Sequence, residues 1–357
     1  MANELIQALA DIEKERGIPK DVLIDAIESA LKTAYKKNFG SNQNVTVELN
    51  SITGEVIVFA RKLVVEEVTD DRTQVSLAKA QENDPNLQID DEMIYEVTPT
   101  EFGRIAAQTA KQVVIQRLRE AERTLIFDEF SSREGELVTG TVGRIEQKII
   151  YLNLGRTEAT MLPQDQIAME TYYPGMRIKG YIYEVRRSAK GPQVFLSRAH
   201  PNFLKRLFEL EVPEIYDGLV EIKSIAREAG ARSKIAVYSR DEKVDPVGSC
   251  VGPRGIRVQN IVRELGGEKI DIIKWSADVA EFVANALSPS RVVYVNVFEA
   301  EKTARVVVPD YQLSLAIGKE GQNARLAAKL TGWKIDIKSE SQFSESQPEE
   351  SQFEEGS

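Results

Sequence analysis

A repeat in the second half of the chain constrains its fold more than any other feature of the sequence. The segment VGPRG at 251–255 recurs as IGKEG at 317–321, 66 residues later. Each copy follows β-type runs, leads into a helical stretch that ends at glycine, and finishes on the strand sequence KIDI. Because the unit occurs only twice, it predicts two tandem domains and not a solenoid.

Both copies contain a G-x-x-G loop, at 252–255 (the first clamp) and at 318–321 (the second clamp). With 22 glycines in 357 residues, chance alone yields about one such match, and a third match at 140–143 lies in a strand pattern. The context therefore carries the argument, because a KH domain places this loop between a short helix and a longer one. Its glycines let backbone amides approach a phosphate chain and clamp about four nucleotides of single-stranded RNA. A tight turn between two helices, without a ligand, is the alternative interpretation.

Residues 131–200 show a different rhythm, in which short β-rich runs alternate with turns. The runs are GELVTGTVGRI, IIYLNLG, EATMLP, GMRIKGYIYEVRR and PQVFLSR. Five strands in about 65 residues predict a small closed barrel of the OB type.

The first 130 residues predict helices, then a sheet, then a long helix. Apolar residues recur at helical spacing over 5–12 and 22–34, and they alternate with polar residues over 45–58 around a Thr-Gly turn. A further strand is predicted at 93–97. The apolar repeat over 106–125 predicts a helix of about six turns.

Charge is distributed unevenly along the chain. The net charge is −10 overall, but it is −9 over 1–130, +3 over 131–200, +2 over 201–338 and −6 over 339–357. The acidic total would argue against a nucleic-acid partner, whereas the two mildly basic middle segments do not.

Composition excludes several classes of chemistry. One cysteine and one histidine rule out an internal disulfide and a Cys/His zinc site. No GxxxxGK[ST] loop for nucleotide phosphates occurs. The acidic clusters at 70–71 and 90–92 suggest a metal-dependent nuclease only weakly, because they lie in turn-like stretches without a partner acid at helical or strand spacing. We therefore expect a protein that is not an enzyme and has no cofactor, no metal and no catalytic residue.

The sequence also predicts a cytoplasmic location and no membrane partner. No apolar run approaches the roughly 18–20 residues that span a bilayer. The N-terminal stretch MANELIQALADIEKERG carries acidic residues and no basic region, which is not typical of a signal peptide.

Four strings of the sequence resemble the NusA family of bacterial transcription elongation factors. VGSCVGPRGIRVQNIVRELGGEKIDI and AIGKEGQNARLAAKLTGWKIDI are similar to its two KH domains. GELVTGTVGRIEQKIIYLNLGRTEATMLPQDQ resembles its S1 domain, and TEFGRIAAQTAKQVVIQRLREAER resembles part of its polymerase-binding N-terminal domain. The resemblance covers about residues 1–338. It implies an RNA-binding factor that associates with RNA polymerase and nascent RNA and modulates pausing, termination and antitermination.

This resemblance implies a multidomain α+β architecture. We expect an α/β polymerase-binding domain at 1–130, an S1-type OB barrel at 131–199, and prokaryotic-type KH domains at 200–277 and 278–338. The low-complexity acidic tail at 339–357 contains too few apolar residues to fold and is predicted to be disordered.

The family pattern assigns candidate RNA-binding residues to both clamps. They are Gly252, Pro253, Arg254, Gly255, Arg257 and Gln259 in the first KH domain, and Gly318, Lys319, Glu320, Gly321, Gln322, Asn323 and Arg325 in the second. Arg254 is the only charge in the first loop and is expected to meet phosphate. Glu320 cancels Lys319 in the second loop, whereas Gln322 and Asn323 can hydrogen-bond base edges. The sequence therefore predicts more backbone attraction from the first clamp and more base recognition from the second.

The barrel departs from the usual pattern of RNA-binding S1 barrels. Tyr151 occupies one aromatic stacking position, but Lys148 stands at the second and Leu162 stands where a histidine is usual. Arg186 and Arg187 add positive charge. We expect weak contact that is dominated by the RNA backbone, since one stacked base contributes only about 1–3 kcal/mol.

The expected partners are RNA polymerase through residues 1–130, nascent single-stranded RNA, and other antitermination factors, and the chain is expected to be a monomer. Two alternatives stay open. One is a general RNA-binding protein of translation or RNA decay. The other is an RNA hydrolase that uses the acidic N-terminal segment, and cleavage of labelled RNA with magnesium or manganese would reveal it.

Overall fold

The structure, a computed structural model, describes residues 2–39, 44–71 and 73–345. The chain separates into an N-terminal unit, Met1–Leu125, and a C-terminal unit, Ile126–Ser357.

The N-terminal unit contains helices against one four-stranded sheet. Its elements are α1 (Ala2–Arg16), α2 (Lys20–Phe39), β1 (Asn44–Leu49), β2 (Val56–Val65), β3 (Gln74–Ser76), α3 (Leu77–Gln81), β4 (Glu92–Glu96) and the first part of α4 (Phe102–Ser131). Strand β2 pairs antiparallel with β1 and β4 and parallel with β3. The predicted hairpin and the strand near 93–97 are confirmed. Helix α4 has 30 residues, about eight turns, and is longer than predicted.

One face of this sheet supplies the core of the N-terminal unit. Alternate residues of β1, Val45, Val47 and Leu49, are buried as the period of two requires. They pack with a helical stripe of α2 that includes Leu23 and Ile27.

A closed five-stranded barrel begins the C-terminal unit. Its strands are β5 (Leu137–Glu146), β6 (Ile149–Asn153), β7 (Glu158–Met161), β8 (Arg177–Ser188) and β9 (Gly191–Ser197), in the order β5-β6-β7-β9-β8. The prediction of a small closed barrel is confirmed. Gly140 lies in a closely packed part of the barrel wall, because a Cβ there would stand 2.8 Å from Leu154 Cδ2.

Two copies of one α-β-β-α-α-β unit follow the barrel, and the first copy has an additional short helix, α6, after its leading helix. The first contains α5 (Pro201–Glu211), α6 (Pro213–Tyr216), β10 (Val220–Glu228), β11 (Arg232–Ser239), α7 (Pro246–Val251), α8 (Ile256–Glu264) and β12 (Lys269–Lys274). The second contains α9 (Val279–Ala286), β13 (Tyr294–Phe298), β14 (Thr303–Val308), α10 (Leu313–Ile317), α11 (Gln322–Thr331) and β15 (Lys334–Ser339). In each sheet the first two strands are antiparallel and the last two are parallel, so the predicted pair of prokaryotic-type KH folds is confirmed.

Hydrophobic cores continue across the junctions within the C-terminal unit. The core of the first KH fold includes Ile167 and Tyr181 of the barrel segment. The core of the second includes Ala226, Ala236 and Ile273 of the first KH fold. Shared cores of this kind give the barrel and the two KH folds one fixed arrangement.

Order extends beyond the predicted start of the tail. Ser339 ends β15, and α12 (Glu340–Glu345) follows it. The hydroxyl of Ser341 donates to Asp310 Oδ2 at 2.7 Å, which anchors this helix to the second KH fold. The predicted disorder therefore does not apply to 339–345, and the rest of the predicted tail, 346–357, lies outside the described residues. Among the described helices, none combines the length and apolarity needed to cross a membrane.

Candidate nucleic-acid interface

The first clamp is a tight loop between α7 and α8. Gly252 ends α7 with φ 73° and ψ 175°, and its N–H donates to Gly248 O at 2.8 Å. Arg254 has φ 54° and Gly255 has φ 76°. The angles of Gly252 lie in a region that glycine alone adopts readily, whereas Arg254 and Gly255 lie in the left-handed helical region, where Arg254 is held by the turn on either side.

The second clamp repeats this geometry with other residues. Gly318 has φ 76° and ψ 171°, Glu320 has φ 53° and Gly321 has φ 72°. The variable pair is Pro-Arg in one loop and Lys-Glu in the other, so the glycines and not the variable residues set the loop shape. The structure therefore presents two loops of one conformation with different charge.

The variable residues of both clamps point outward. Pro253, Arg254, Lys319 and Glu320 are all exposed. Each clamp leads directly into a helix, α8 or α11, whose first N–H groups have no intrahelical partner and carry partial positive charge. This arrangement can hold a phosphate beside each loop.

The second glycines face open space. Apart from the adjacent residues of the chain, no atom of the described residues lies within 4 Å of a Cβ placed on Gly255 or Gly321. The clamp surface is therefore free for a ligand backbone to approach closely.

Two predicted RNA contacts lie inside the protein. The amide of Asn323 is buried and donates to the carbonyls of Ala316 and Leu287 at 3.0 Å each. Arg257 is half-buried and donates to Ser249 O and Glu214 Oε2. Neither side chain is free to reach RNA in this conformation.

Two more residues that were predicted to contact RNA, Gln322 and Arg325, contact the first KH fold instead. Gln322 Nε2 donates to Glu228 Oε2 at 2.9 Å, and Arg325 Nε donates to Glu228 Oε1 at 2.7 Å. Glu228 ends β10, and the hydrogen bond from Arg325 lowers its pKa from the ordinary value. Gln259, at the position in the first KH fold that corresponds to Arg325, is exposed.

The aromatic ring that was predicted to stack on a base already has a charged neighbour. The guanidinium of Arg144 lies 3.9 Å from the Tyr151 ring centroid and pairs with Glu158 and Glu146. This contact covers one face of the aromatic ring that was predicted to stack on a base. Lys148 is exposed, and its carbonyl accepts from Gln166 Nε2 at 2.6 Å.

The two barrel arginines also have partners. Arg186 pairs with Glu184 and lies 5.2 Å from the Phe195 ring centroid. Arg187 lies 4.3 Å from the ring centroid of Phe127 and 3.7 Å from Asp128 Oδ1. Both remain exposed at the surface, so RNA phosphates could reach them only in competition with these carboxylates.

A buried arginine joins the barrel segment to the first KH fold. Arg198, 3% exposed, donates through Nε and Nη2 to the Glu170 carboxylate, and through Nη1 to Lys179 O and Glu264 Oε1. Its guanidinium also lies 5.1 Å from the Phe203 ring centroid. All three guanidinium nitrogens of Arg198 donate to carboxylate or carbonyl oxygens, as a buried charge requires.

Other buried charges stabilise the first KH fold and its junction with the second. Arg227 and Glu268 form an ion pair at 2.9 Å with neither side chain exposed. Lys234 donates to Asp271 Oδ2 at 2.9 Å and, across the junction, to Ser288 O at 2.7 Å. Sequence reasoning missed these residues because the partners are distant in the chain and nothing local marks them.

The acidic clusters of the N-terminal unit have local partners. Asp70 Oδ2 accepts from the Thr73 hydroxyl at 3.1 Å, and Asp91 Oδ2 accepts from Gln88 N at 2.7 Å. Within the described ranges, no three His, Cys, Asp or Glu side chains are grouped as metal ligands.

Comparison with known families matches three stretches of the chain. Residues 4–124 match the NusA N-terminal domain, 198–275 match the NusA-like first KH domain, and 279–345 match the NusA-like second KH domain.

Similar whole proteins share one name. The chain is 61% identical over 345 residues to the transcription termination/antitermination protein NusA of Halalkalibacterium halodurans, which covers 97% of this chain and 90% of that protein. It is 62% identical over 340 residues to the protein of the same name from Bacillus subtilis, with coverage of 95% and 92%. A solved structure of the N-terminal domain of NusA from B. subtilis is 57% identical and covers 34% of this chain and 99% of that domain, with a TM-score of 0.32.

Proposed function

This chain belongs to the NusA family of transcription termination/antitermination proteins, and from that premise we propose that it binds nascent single-stranded RNA through its two clamps while its N-terminal unit binds RNA polymerase. It acts by binding and not by catalysis, and it does so in the cytoplasm as a monomer. Pausing, termination and antitermination change because the protein holds RNA and polymerase together.

The observation that carries the proposal is the matched geometry of the two clamps. Both loops expose their variable residues, leave the second glycine open, and precede a helix N-terminus. A turn that only joined two helices would not require this repeated opening toward solvent. The KH fold uses such an opening to bring backbone amides against phosphates.

The two clamps differ in electrostatics. Arg254 is exposed and forms no ion pair among the described residues, which leaves the first loop with one positive charge. In the second loop Lys319 is next to Glu320, which cancels it. We therefore assign stronger phosphate attraction to the first clamp. The earlier assignment of base recognition to Asn323 is not supported by its burial, so base contacts of the second clamp fall to exposed groups of that loop.

The barrel adds weak and sequence-independent attraction. Lys148, Arg186 and Arg187 are exposed, but the two arginines must leave carboxylate partners before they meet phosphate. Shared cores fix the barrel beside the KH folds, so that several weak contacts can act on one strand of RNA.

The proposed modules are polymerase binding within the predicted 1–130, the S1 barrel at the predicted 131–199 together with Ile126, Phe127 and Phe130 of its core, and the KH domains at 200–277 and 278–338. The acidic balance of residues 1–130, net −9, suits a basic patch on the polymerase. Other antitermination factors are further proposed partners.

The RNA-binding proposal is tested with aspartate at the open glycines. Asp tolerates a positive φ, and at Gly255 or Gly321 it places a negative charge where the phosphate chain would lie. We expect each variant of the full chain to bind a short single-stranded RNA about tenfold more weakly, a loss of roughly 1.4 kcal/mol. Fluorescence anisotropy at low salt measures this affinity.

Gly332→Asp is the matched control. Gly332 has φ 74° and no atom within 4 Å of a Cβ, but it ends α11 away from the clamp. Gly332→Asp should lose as much stability as the two clamp variants, but it should bind RNA as tightly as the unmodified chain does. Equal RNA affinity in all three variants and the unmodified chain would show that the clamps do not bind RNA.

A further inference from the structure

We propose that the side chain five residues after the first glycine of each clamp positions the loop for RNA, so that Arg257 and Asn323 are positioning residues and not RNA contacts. This inference rests on the proposed RNA binding and names the groups that shape its site. The two positions correspond in the repeat, because Gly252 precedes Arg257 as Gly318 precedes Asn323.

Asn323 ties the second clamp to two neighbouring helices. It lies in the first turn of α11 and is 1% exposed. Its Nδ2 donates to Ala316 O, in the last turn of α10, and to Leu287 O, just after α9, at 3.0 Å each. Carbonyls at a helix C-terminus lack helical partners, so this one amide, which follows the loop, satisfies acceptors at the ends of two helices that precede it.

Arg257 makes the same connection in the first clamp with different chemistry. Its Nη1 donates to Ser249 O in α7 at 2.6 Å and to Glu214 Oε2 in α6 at 2.8 Å. The arginine therefore joins the helix after the loop to the helix before it, as Asn323 does. Glu214 balances its charge, which makes that charge less available to a phosphate.

The first glycine of each clamp is fitted against this position. A Cβ on Gly252 would lie 2.6 Å from Arg257 Cγ and 2.7 Å from its Cδ. A Cβ on Gly318 would lie 2.8 Å from the Asn323 backbone nitrogen and 2.9 Å from its Cβ. The first glycine is thus needed for packing inside the protein, whereas the second glycine is open to a ligand.

The Asn323 side chain also brings a buried acceptor, its Oδ1 atom, into the second KH fold. Asn323 Oδ1 is buried and has no hydrogen-bond partner in the described part of the chain. An apolar side chain of similar size would avoid leaving that oxygen unpaired. The gain at this position is therefore the pair of Nδ2 hydrogen bonds that hold the loop.

Loss of either side chain would loosen a clamp without removing an RNA contact. A loop that samples several conformations must be ordered when RNA binds, and this ordering weakens the affinity. A direct contact and a positioning role therefore predict different behaviour of the loop in the RNA-free protein.

Hydrogen exchange of the full chain tests Asn323. Asn323→Ala removes both hydrogen bonds without burying a charge, so peptides that cover 316–323 should exchange faster in the absence of RNA. Lys319→Ala, which removes an exposed charge of the same loop, should leave this exchange unchanged. RNA affinity of Asn323→Ala should fall about 5- to 10-fold, the size of an added ordering cost. Unchanged exchange in Asn323→Ala would overturn the proposal whether or not the affinity falls.

The salt dependence of RNA binding tests Arg257. A lost phosphate contact lowers the slope of log K against log salt by about 0.7 for a single strand, whereas a lost positioning residue lowers K and keeps the slope. We expect Arg257→Ala to keep the slope, Arg254→Ala to lower it, and Arg257→Lys, which retains a donor, to recover part of the affinity. A reduced slope for Arg257→Ala would make it a phosphate contact and overturn the proposal. If neither the unmodified chain nor any variant binds RNA, the proposed function is wrong. The hydrogen-exchange result still decides whether Asn323 holds the loop.

Discussion

Cys250 and His200 are each the single residue of their type in the chain, and both lie beside elements that position the RNA interface. Cys250 is buried in α7, directly before the first clamp, and His200 caps α5 at the end of the barrel. The thiol and the imidazole can therefore each be followed by labelling or NMR as a probe of one site in the unmodified chain.

Burial raises the pKa of the Cys250 thiol to about 12, so the reactive thiolate is scarce near neutral pH. We predict that the native chain at pH 8 resists alkylation by iodoacetamide and that the same chain in denaturant reacts fully. Mass spectrometry of both samples measures the labelled fraction. Labelling of the native protein at the rate of the denatured one would contradict the buried position of Cys250.

Burial lowers the pKa of His200 below its ordinary value of 6.5. Its Nδ1 accepts from Asn202 N at 3.1 Å, a cap that requires this nitrogen to be unprotonated. Because the unfolded state then binds the proton more readily, stability is lost as the pH falls from about 6.5 toward the folded pKa. NMR titration of the single imidazole measures the folded value. His200→Asn, which retains a capping oxygen and does not titrate, should lose this part of the pH dependence, and a midpoint at or above 6.5 would refute the prediction.

At the scale of elements, the sequence predicted the parts whose residues are neighbours in the chain. The alternation in 45–49 and the barrel runs identified strands because each strand buries one face. The bounds of strand β10 were not predicted, because a bulge between Ile222 and Ser224 breaks its alternation. The clamps were found from their glycines, whereas the roles of Asn323 and Arg325 depend on Leu287 and Glu228, which no local pattern connects to them.

The contact of Glu228 with the helix after the second clamp should compete with RNA for Arg325. Glu228→Gln removes the carboxylate, so we predict tighter RNA binding and a salt slope larger by about 0.7 if Arg325 then meets a phosphate. Stability should change by about 1 kcal/mol or less, because the pair is partly exposed.

Glu221→Gln is the control for this change. Glu221 lies on the same strand, pairs with Arg240 and Lys223, and carries the same charge. An equal gain in RNA affinity from both variants would reflect net charge alone and would contradict a specific competition at Arg325.

The Arg198 junction should be among the most sensitive points of the C-terminal unit. Arg198→Met leaves Glu170 and Glu264 without their buried partner, so we predict a loss of about 3–5 kcal/mol of unfolding free energy. Arg156→Met, which breaks an exposed pair with Glu129, should cost less than about 1 kcal/mol. Urea denaturation of the full chain compares them, and similar losses in both would contradict the account of this junction.

At the scale of the whole molecule, the change from acidic to mildly basic sequence falls near the boundary between the two structural units. The acidic N-terminal unit precedes a mildly basic barrel and two KH folds that share their cores. The sequence indicated this division through its charge balance. The sequence did not place the division within α4, because one unbroken helix, Phe102–Ser131, crosses it.

The location of the division matters for any experiment on fragments. Phe130 is buried in the barrel core, and Ile126 and Phe127 pack against the same core. A cut after residue 130 would remove these side chains from the barrel, whereas a cut between Leu125 and Ile126 keeps them.

The most direct test of the central claim is therefore retention of core RNA polymerase by the full chain, by residues 1–125 and by residues 126–357, with the fold of each fragment checked by circular dichroism. The account predicts that the full chain and 1–125 retain polymerase, and that 126–357 does not but still binds single-stranded RNA. Retention of polymerase by folded 126–357 and not by folded 1–125 would contradict the division of function. Binding by none of the three would leave a free RNA-binding protein of translation or RNA decay.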